Sequence, residues 1–325
     1  MPGFRLLFFR YSREKKLITK KILVLSHKVF LPKKINRKNN SKIIKNKIWK
    51  CIEISETFAI LTNDLTKEFG KIIAVNNLNL KIPYGVTYGL LGPNGAGKTT
   101  TVRMLNSIIT PTSGSAQVVG YNTITQSKQV KINSGFLPET PGLYQKLTAK
   151  EFLEFVGELY YLPKEVIFSR IDELIGIFDL EGRENDLLEG YSRGMKQKVC
   201  LCAALIQDPK IIFLDEPTSN LDPAAARMVK DLISDLTKKA DKTIFICTHL
   251  LDAAEELCDL IGIIDNGILK VEGSPKEIIE SSKAEDLEDA YLKIMGETRI
   301  EDLLAWREEG PRISEKVKKE KKKRK

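Results

Sequence analysis

The sequence predicts an α/β fold, a mostly parallel sheet covered by helices with a helical subdomain inserted into it. Three observations predict it. Short apolar runs at Val86–Leu91, Ile211–Leu214 and Thr243–Cys247 each pass through polar turn residues into a longer helical pattern. That alternation is what parallel strands with crossover helices require. Residues 148–207 read instead as nearly all helix, over Ala149–Tyr161, Lys164–Phe178 and Ser192–Ile206. Between the first strand and the helix after it lies Gly92-Pro93-Asn94-Gly95-Ala96-Gly97-Lys98-Thr99, which fits the phosphate-loop spacing G-x-x-x-x-G-K-[ST] without a mismatch.

That loop names a ligand as well as a fold, the phosphate-loop NTPase core. Its glycines let the backbone curl until successive amides point at phosphate oxygens. Lys98 then reaches the β- and γ-phosphates, and the Thr99 hydroxyl is placed to ligate Mg²⁺. The helix that continues through Thr100 to Leu105 adds its positive dipole end to the same site. Residues 92–100 therefore bind a nucleoside triphosphate.

A second strand completes the chemistry. Lys210-Ile211-Ile212-Phe213-Leu214-Asp215-Glu216-Pro217 is an apolar run ending in two carboxylates, and strand ends are where open α/β sheets place ligands. Asp215 is expected to hold Mg²⁺ through its shell. Glu216 is left to orient or deprotonate the attacking water.

Length and composition set limits. A chain of 325 residues can bury a substantial core as one large domain or two smaller ones. No apolar run approaches the roughly 18–20 residues that span a bilayer, so a membrane role has to come through a partner. The five cysteines, Cys51, Cys200, Cys202, Cys247 and Cys258, form no disulfide framework and no Cys-x-x-Cys pair, and read as buried and reduced. Net charge is +9, but residues 1–60 carry 16 Lys/Arg against 3 Asp/Glu and residues 315–325 carry 8 against 2. The body between them is thus acidic, at −10, and the basic total does not mark it as a nucleic-acid surface.

At Tyr191-Ser192-Arg193-Gly194-Met195, followed by Lys196-Gln197-Lys198, Ser192 can cap a helix while its hydroxyl and the Gly194 amide face an anion. Taken with the phosphate loop and the Asp215 strand in this order, the sequence closely resembles the ATP-binding subunit of ABC transporters over about residues 57–296. The resemblance implies an N-terminal antiparallel β portion and dimerisation of the subunit. It also implies that the anion met by Ser192 and Gly194 is the γ-phosphate of ATP bound to the other subunit. Ser219-Asn220-Leu221-Asp222 matches the loop along the dimer interface, and Asp222 is placed with the ATP-binding residues. His249, after Thr243–Thr248, matches a switch histidine that contacts the γ-phosphate. Phe69 matches the aromatic that stacks on adenine.

Three positions depart from the family pattern. Glu139 stands where the family usually has glutamine, in the loop Gly135-Phe136-Leu137-Pro138-Glu139, and remains able to ligate Mg²⁺. Arg193 replaces a signature glycine, and Met195 replaces the signature glutamine. These variants, and Leu287–Lys293 near the C-terminus, are similar to the subgroup that serves ABC-2-type exporters.

The resemblance divides the chain into a basic arm (1–56), an ATPase domain (57–283) with a helical insert at about 140–207, a C-terminal helical extension (284–314) and a basic disordered tail (315–325). The arm fits a disordered basic segment, a surface-binding amphipathic element, or upstream sequence translated from a start assigned too early. The last is favoured slightly, because Thr57–Thr62 reads as a natural first strand. The implied activity is Mg²⁺-dependent ATP hydrolysis by a homo- or heterodimer, with Glu216, His249 and Lys98 as the catalytic groups. The implied place is the cytoplasmic, inner face of the cell membrane, against a separate permease. The alternative is a non-transport ABC ATPase acting on the ribosome or on nucleic acid. The absence of a second cassette and of long coiled coils argues against it, and the intact Lys98, Asp215, Glu216 and His249 argue against a silent cassette.

Overall fold

The computed structural model describes residues 57–140, 142–219 and 221–296. The chain begins with β1 (Phe58–Phe69), β2 (Ile72–Leu78), β3 (Lys81–Pro83) and β4 (Thr87–Leu91), and α1 (Lys98–Leu105) follows the phosphate loop. Next come β5 (Ser113–Val118), β6 (Tyr121–Asn122), α2 (Ser127–Asn133) and β7 (Ser134–Leu137). The helical insert holds α3 (Ala149–Leu159), α4 (Lys164–Ile177) and α5 (Arg193–Leu205). The second half alternates β8 (Ile211–Asp215), α6 (Pro223–Lys238), β9 (Thr243–Thr248) and α7 (Leu251–Leu257), then a hairpin of β10 (Leu260–Asp265) and β11 (Ile268–Gly273). It closes with α8 (Pro275–Ser281) and α9 (Leu287–Met295).

These strands form two sheets. The smaller one is antiparallel, in the order β2-β1-β5-β6 with β3 also on β1, and is the N-terminal β portion the resemblance implied. Its centre is the buried Thr62 hydroxyl, which donates to Leu78 O at 2.8 Å and accepts from Leu80 N at 2.7 Å. The larger sheet runs β11-β10-β4-β9-β8-β7. Its strands β10, β4, β9, β8 and β7 are parallel, and only the edge strand β11 is antiparallel.

The central strands β4, β8 and β9 are buried from end to end, so the composition of each says nothing about which side chain faces which layer. The two-residue period decides it. Leu90, Phe213 and Phe245 turn to the layer that holds α1 and the small sheet. Leu91, Ile212, Leu214, Ile244 and Ile246 turn to α5 and α6, through Val199, Leu201, Val229 and Ile233. Phe245 stacks on Tyr88 at 5.2 Å and meets Phe213 at 5.7 Å. Burying each such ring contributes about 1.5–3 kcal/mol.

Local signals start the insert helices. Thr148 and Glu151 form a reciprocal capping box at α3, and Ser192 caps α5 by accepting from Met195 N at 3.2 Å. Both arrangements satisfy first-turn amides that would otherwise lack partners. Helix ends differ by one or two residues from the sequence expectation: Tyr160 and Phe178 become C-cap residues, and Ser192 and Ile206 flank α5.

One segment is corrected. Gly135-Phe136-Leu137, read as part of a loop, is strand: together with Ser134 it forms β7, the sheet edge, in register with Ile211–Leu214 of β8. Four residues are too few to show a period. Toward the C-terminus, α9 buries Leu287 and Ala290. Cys200, Cys202, Cys247 and Cys258 are free and buried, and burial pushes the Cys200 and Cys258 thiols up to about 12. Among the described residues no helix is long and apolar enough to cross a membrane. The arm with Cys51, the tail, Asn220 and residues 297–314 of the extension lie outside the described residues.

Candidate functional site

Because β4, β7, β8 and β9 run parallel, their C-terminal ends open onto one side of the sheet. A cleft of about 290 Å³ lies there, near the lower end of the usual size of a small-ligand site. Its floor is the loop from β4 to α1. Gly97 precedes α1 with φ +107°, and a Cβ on it would stand 2.4 Å from Ala74 O, so only glycine fits. The loop is braced from behind by the β10–β11 turn, where Gly267 N donates to Ala96 O at 2.9 Å. No side chain caps α1, and its first turn holds no acid. Its leading amides are therefore left for an anion. Lys98 is buried, its Nζ donating to Gly92 O at 2.7 Å and Pro93 O at 3.1 Å.

The opposite wall comes from β8 and β9. Asp215 is 2 % exposed, and burial pushes its carboxyl above the ordinary carboxylate value. A hydrogen bond from Thr99 and the charge of Lys98 oppose the shift, while the charges of Glu139 and Glu216 add to it. Glu216 sits in left-handed backbone, φ +53°, an uncommon place for a residue with a Cβ. One of its oxygens lies 2.7 Å from His249 Nδ1, and the other accepts from Ser219 Oγ at 2.9 Å and Thr248 Oγ1 at 3.1 Å. The β8–β9 register, Asp215 opposite Cys247, brings Thr248 and His249 to Glu216 across more than thirty residues of sequence.

The sequence-predicted residues divide into two groups. Asn94, Gly95, Gly97, Lys98, Thr99, Thr100, Glu139, Asp215, Glu216 and His249 line the cleft, and Gly92, Pro93 and Ala96 complete its loop. Ser192, Gly194 and Asp222 do not line it. They form a separate cluster: Asp222 caps α6, accepting from Ala224 and Ala225 N at 3.1 and 3.0 Å, and lies 3.9 Å from where a Gly194 Cβ would be. Phe69 is half exposed at the end of β1, with Lys67 Nζ 5.1 Å above its ring. It is not a lining residue, although β2 beside it reaches the cleft through Ala74.

Sequence reasoning missed two residues that line the cleft, Ala74 and Ser219, and Thr248, which stands against Glu216. Ala74 carries no chemical signal. Thr248 was read only as a strand end, and Ser219 only as part of an interface loop. Their hydroxyls count because Glu216 is folded back onto them.

A family model described as ABC transporter matches residues 75–219. The bacitracin transport ATP-binding protein BcrA of Bacillus licheniformis is 40% identical over 210 residues, covering 65% of this chain and 68% of that protein. The chain belongs to the ABC transporter ATP-binding proteins. A second relative of this ABC ATPase, the Nod factor export ATP-binding protein I of Cupriavidus metallidurans, is 34% identical over 235 residues, covering 72% of this chain and 77% of its own. Among solved structures, a dimeric ATP-binding cassette in a post-hydrolysis state bound to ADP and Pi superposes with TM-score 0.61. It is 26% identical and covers 66% of this chain and 98% of its own. The Ser192–Gly194 cluster stands apart from the cleft.

Proposed function

We propose that this chain is an ATP-hydrolysing subunit that closes as a dimer on ATP and drives a separate membrane permease as an exporter. It would sit peripherally on the inner membrane face through that permease. One observation carries the reading. The cleft joins Lys98 and Thr99 to Asp215, Glu216 and His249, yet leaves out Ser192 and Gly194. A second subunit is the natural source of the missing wall. The dimeric, ADP- and Pi-bound neighbour and the export role printed for the Nod factor relative support the dimer and the direction.

The residues fit Mg²⁺. The Thr99 hydroxyl and the Glu139 charge both bear on the Asp215 carboxyl, so the donors are hard oxygens carrying surplus negative charge. Among the described residues no three His, Cys, Asp or Glu side chains are grouped to hold a metal alone. That suits an ion bound by one or two carboxylates together with substrate phosphates. Thr99, Asp215 and Glu139 would hold it, and it would supply positive charge to the phosphates.

In the proposed cycle the loop amides and α1 seat the phosphates, and Lys98 leaves its loop carbonyls for the γ-phosphate. Phe69 stacks on the adenine. Ser192 and Gly194 of the partner subunit close the γ-phosphate side, with Asp222 along the interface. Glu216 polarises the attacking water, and His249 with Lys98 steadies charge on the γ-phosphoryl. Closure and reopening are then transmitted to the permease.

Two variants test this by calorimetry and sedimentation. Lys98→Ala should lose at least about 2 kcal/mol of ATP affinity, as truncating a buried charge contact does. Glu216→Gln should bind ATP normally, sediment as a dimer, and turn over about 10²–10⁴-fold slower. A Glu216→Gln protein that turns over at the wild-type rate would remove Glu216 from its role, and one that stays monomeric with ATP would remove the dimer.

A further inference from the structure

Glu216 is held more completely than a group awaiting water needs to be. Its backbone occupies a strained left-handed conformation, and its N donates to Cys247 O at 2.9 Å, the over-determination that such strain demands. Its carboxylate is held unevenly. Oε2 accepts two hydroxyl hydrogen bonds, from Ser219 and Thr248, whereas Oε1 meets only His249. A glutamate's terminal torsion is otherwise soft and roughly two-fold, so these hydroxyls decide where each oxygen points.

Resting on the reading of Glu216 as the group that activates water, we propose that Ser219 and Thr248 are its positioning residues. They clamp Oε2, so that Oε1 becomes the oxygen that works on water once His249 turns to the γ-phosphate. The hydroxyls touch neither water nor nucleotide in this scheme. They supply the orientation that makes a bound base effective.

The two clamps are carried differently. Thr248 ends β9, its place set by the β8–β9 register, and its hydroxyl also accepts from Leu250 N at 3.0 Å. Ser219 rides on the segment that runs from Glu216 to Asp222. Leu221 and Asp222 of that segment are the groups a Cβ on Gly194 would meet, at 3.9 Å each. Thr248 therefore answers to the rigid sheet, whereas Ser219 stands on the stretch of chain that precedes α6.

The test is steady-state ATPase kinetics with a double-mutant cycle. Ser219→Ala should lower kcat about tenfold, the worth of one hydrogen bond to a charged group, with KM for MgATP unchanged. Thr248→Val should do the same, and Thr248→Ser, which keeps the hydroxyl but loses the methyl, should restore the rate. A packing role would give the opposite ranking. In a Glu216→Gln background Ser219→Ala should slow turnover no further, since no carboxylate remains to be aimed. Wild-type kcat in Ser219→Ala, or a full additional loss in the double variant, overturns the proposal. Wild-type turnover in Glu216→Gln alone overturns the role of Glu216 itself, and is recognised as a separate failure.

Discussion

Gly97 and Gly194 stand on the two surfaces proposed to meet across ATP, and their own chain treats them in opposite ways. Gly97 has φ +107° and its missing Cβ would collide with Ala74 O at 2.4 Å. Gly194 lies in regular helix, and a Cβ there would find its nearest neighbours, on Asp222 and Leu221, at an ordinary 3.9 Å. The first glycine is demanded by the fold of its own subunit. The second is not. The groups around them repeat the contrast. Glu216 is buried with three side-chain partners, while the exposed Ser192 side chain accepts from the Met195 amide of its own helix.

The comparison can be broken at its stronger end first. Gly97→Ala should destabilise the subunit by about 2 kcal/mol or more, through forbidden backbone and a clash with a carbonyl that cannot easily move, and should remove ATP binding with it. Urea unfolding and calorimetry read both, and wild-type values would show that the loop relaxes. Gly194→Ala, at the second position of α5, should instead leave monomer stability within about 0.5 kcal/mol of wild type, while weakening ATP-driven dimerisation. Sedimentation in the Glu216→Gln background measures this. A full dimer would mean that Gly194 does not face the partner.

The smallest effect concerns Asp215 without nucleotide. Its carboxyl is pushed up, first by burial and then by Glu139 and Glu216. A raised carboxyl pKa means that the folded state holds the proton more tightly than the unfolded one. Its contribution is complete below the unfolded value of about 3.9 and is lost as pH rises through the raised folded value. Asp215→Asn should therefore raise the melting temperature of the nucleotide-free protein at neutral pH and leave it unchanged below about pH 3.5. It should also abolish the stabilisation by MgATP. Equal melting temperatures at neutral pH would show that the buried charge is already compensated.

Legibility in the sequence followed the range of the interactions. The phosphate loop and the Asp215–Glu216 strand end were readable because each builds its own backbone from contiguous residues. Ser192 was readable as a cap for the same reason, since its partner is Met195 N. Strand β7 was hidden, because a four-residue edge has no period of its own and exists through pairing with β8. The hydroxyls of Ser219 and Thr248 were hidden because they matter only where Glu216 folds back onto them, with Thr248 brought there from β9.

The sequence by itself determined that this chain carries a triphosphate loop, two carboxylates at a strand end and a helix cap of the signature type, all encoded by local spacing. Only the tertiary structure decided how they divide. The β8–β9 register joined His249 and Thr248 to Glu216, the parallel strand ends gathered them over Lys98, and the insert left Ser192 and Gly194 on a separate face. The physical reason is that local geometry is set by neighbouring residues, whereas register and layer packing are set by the whole buried core at once.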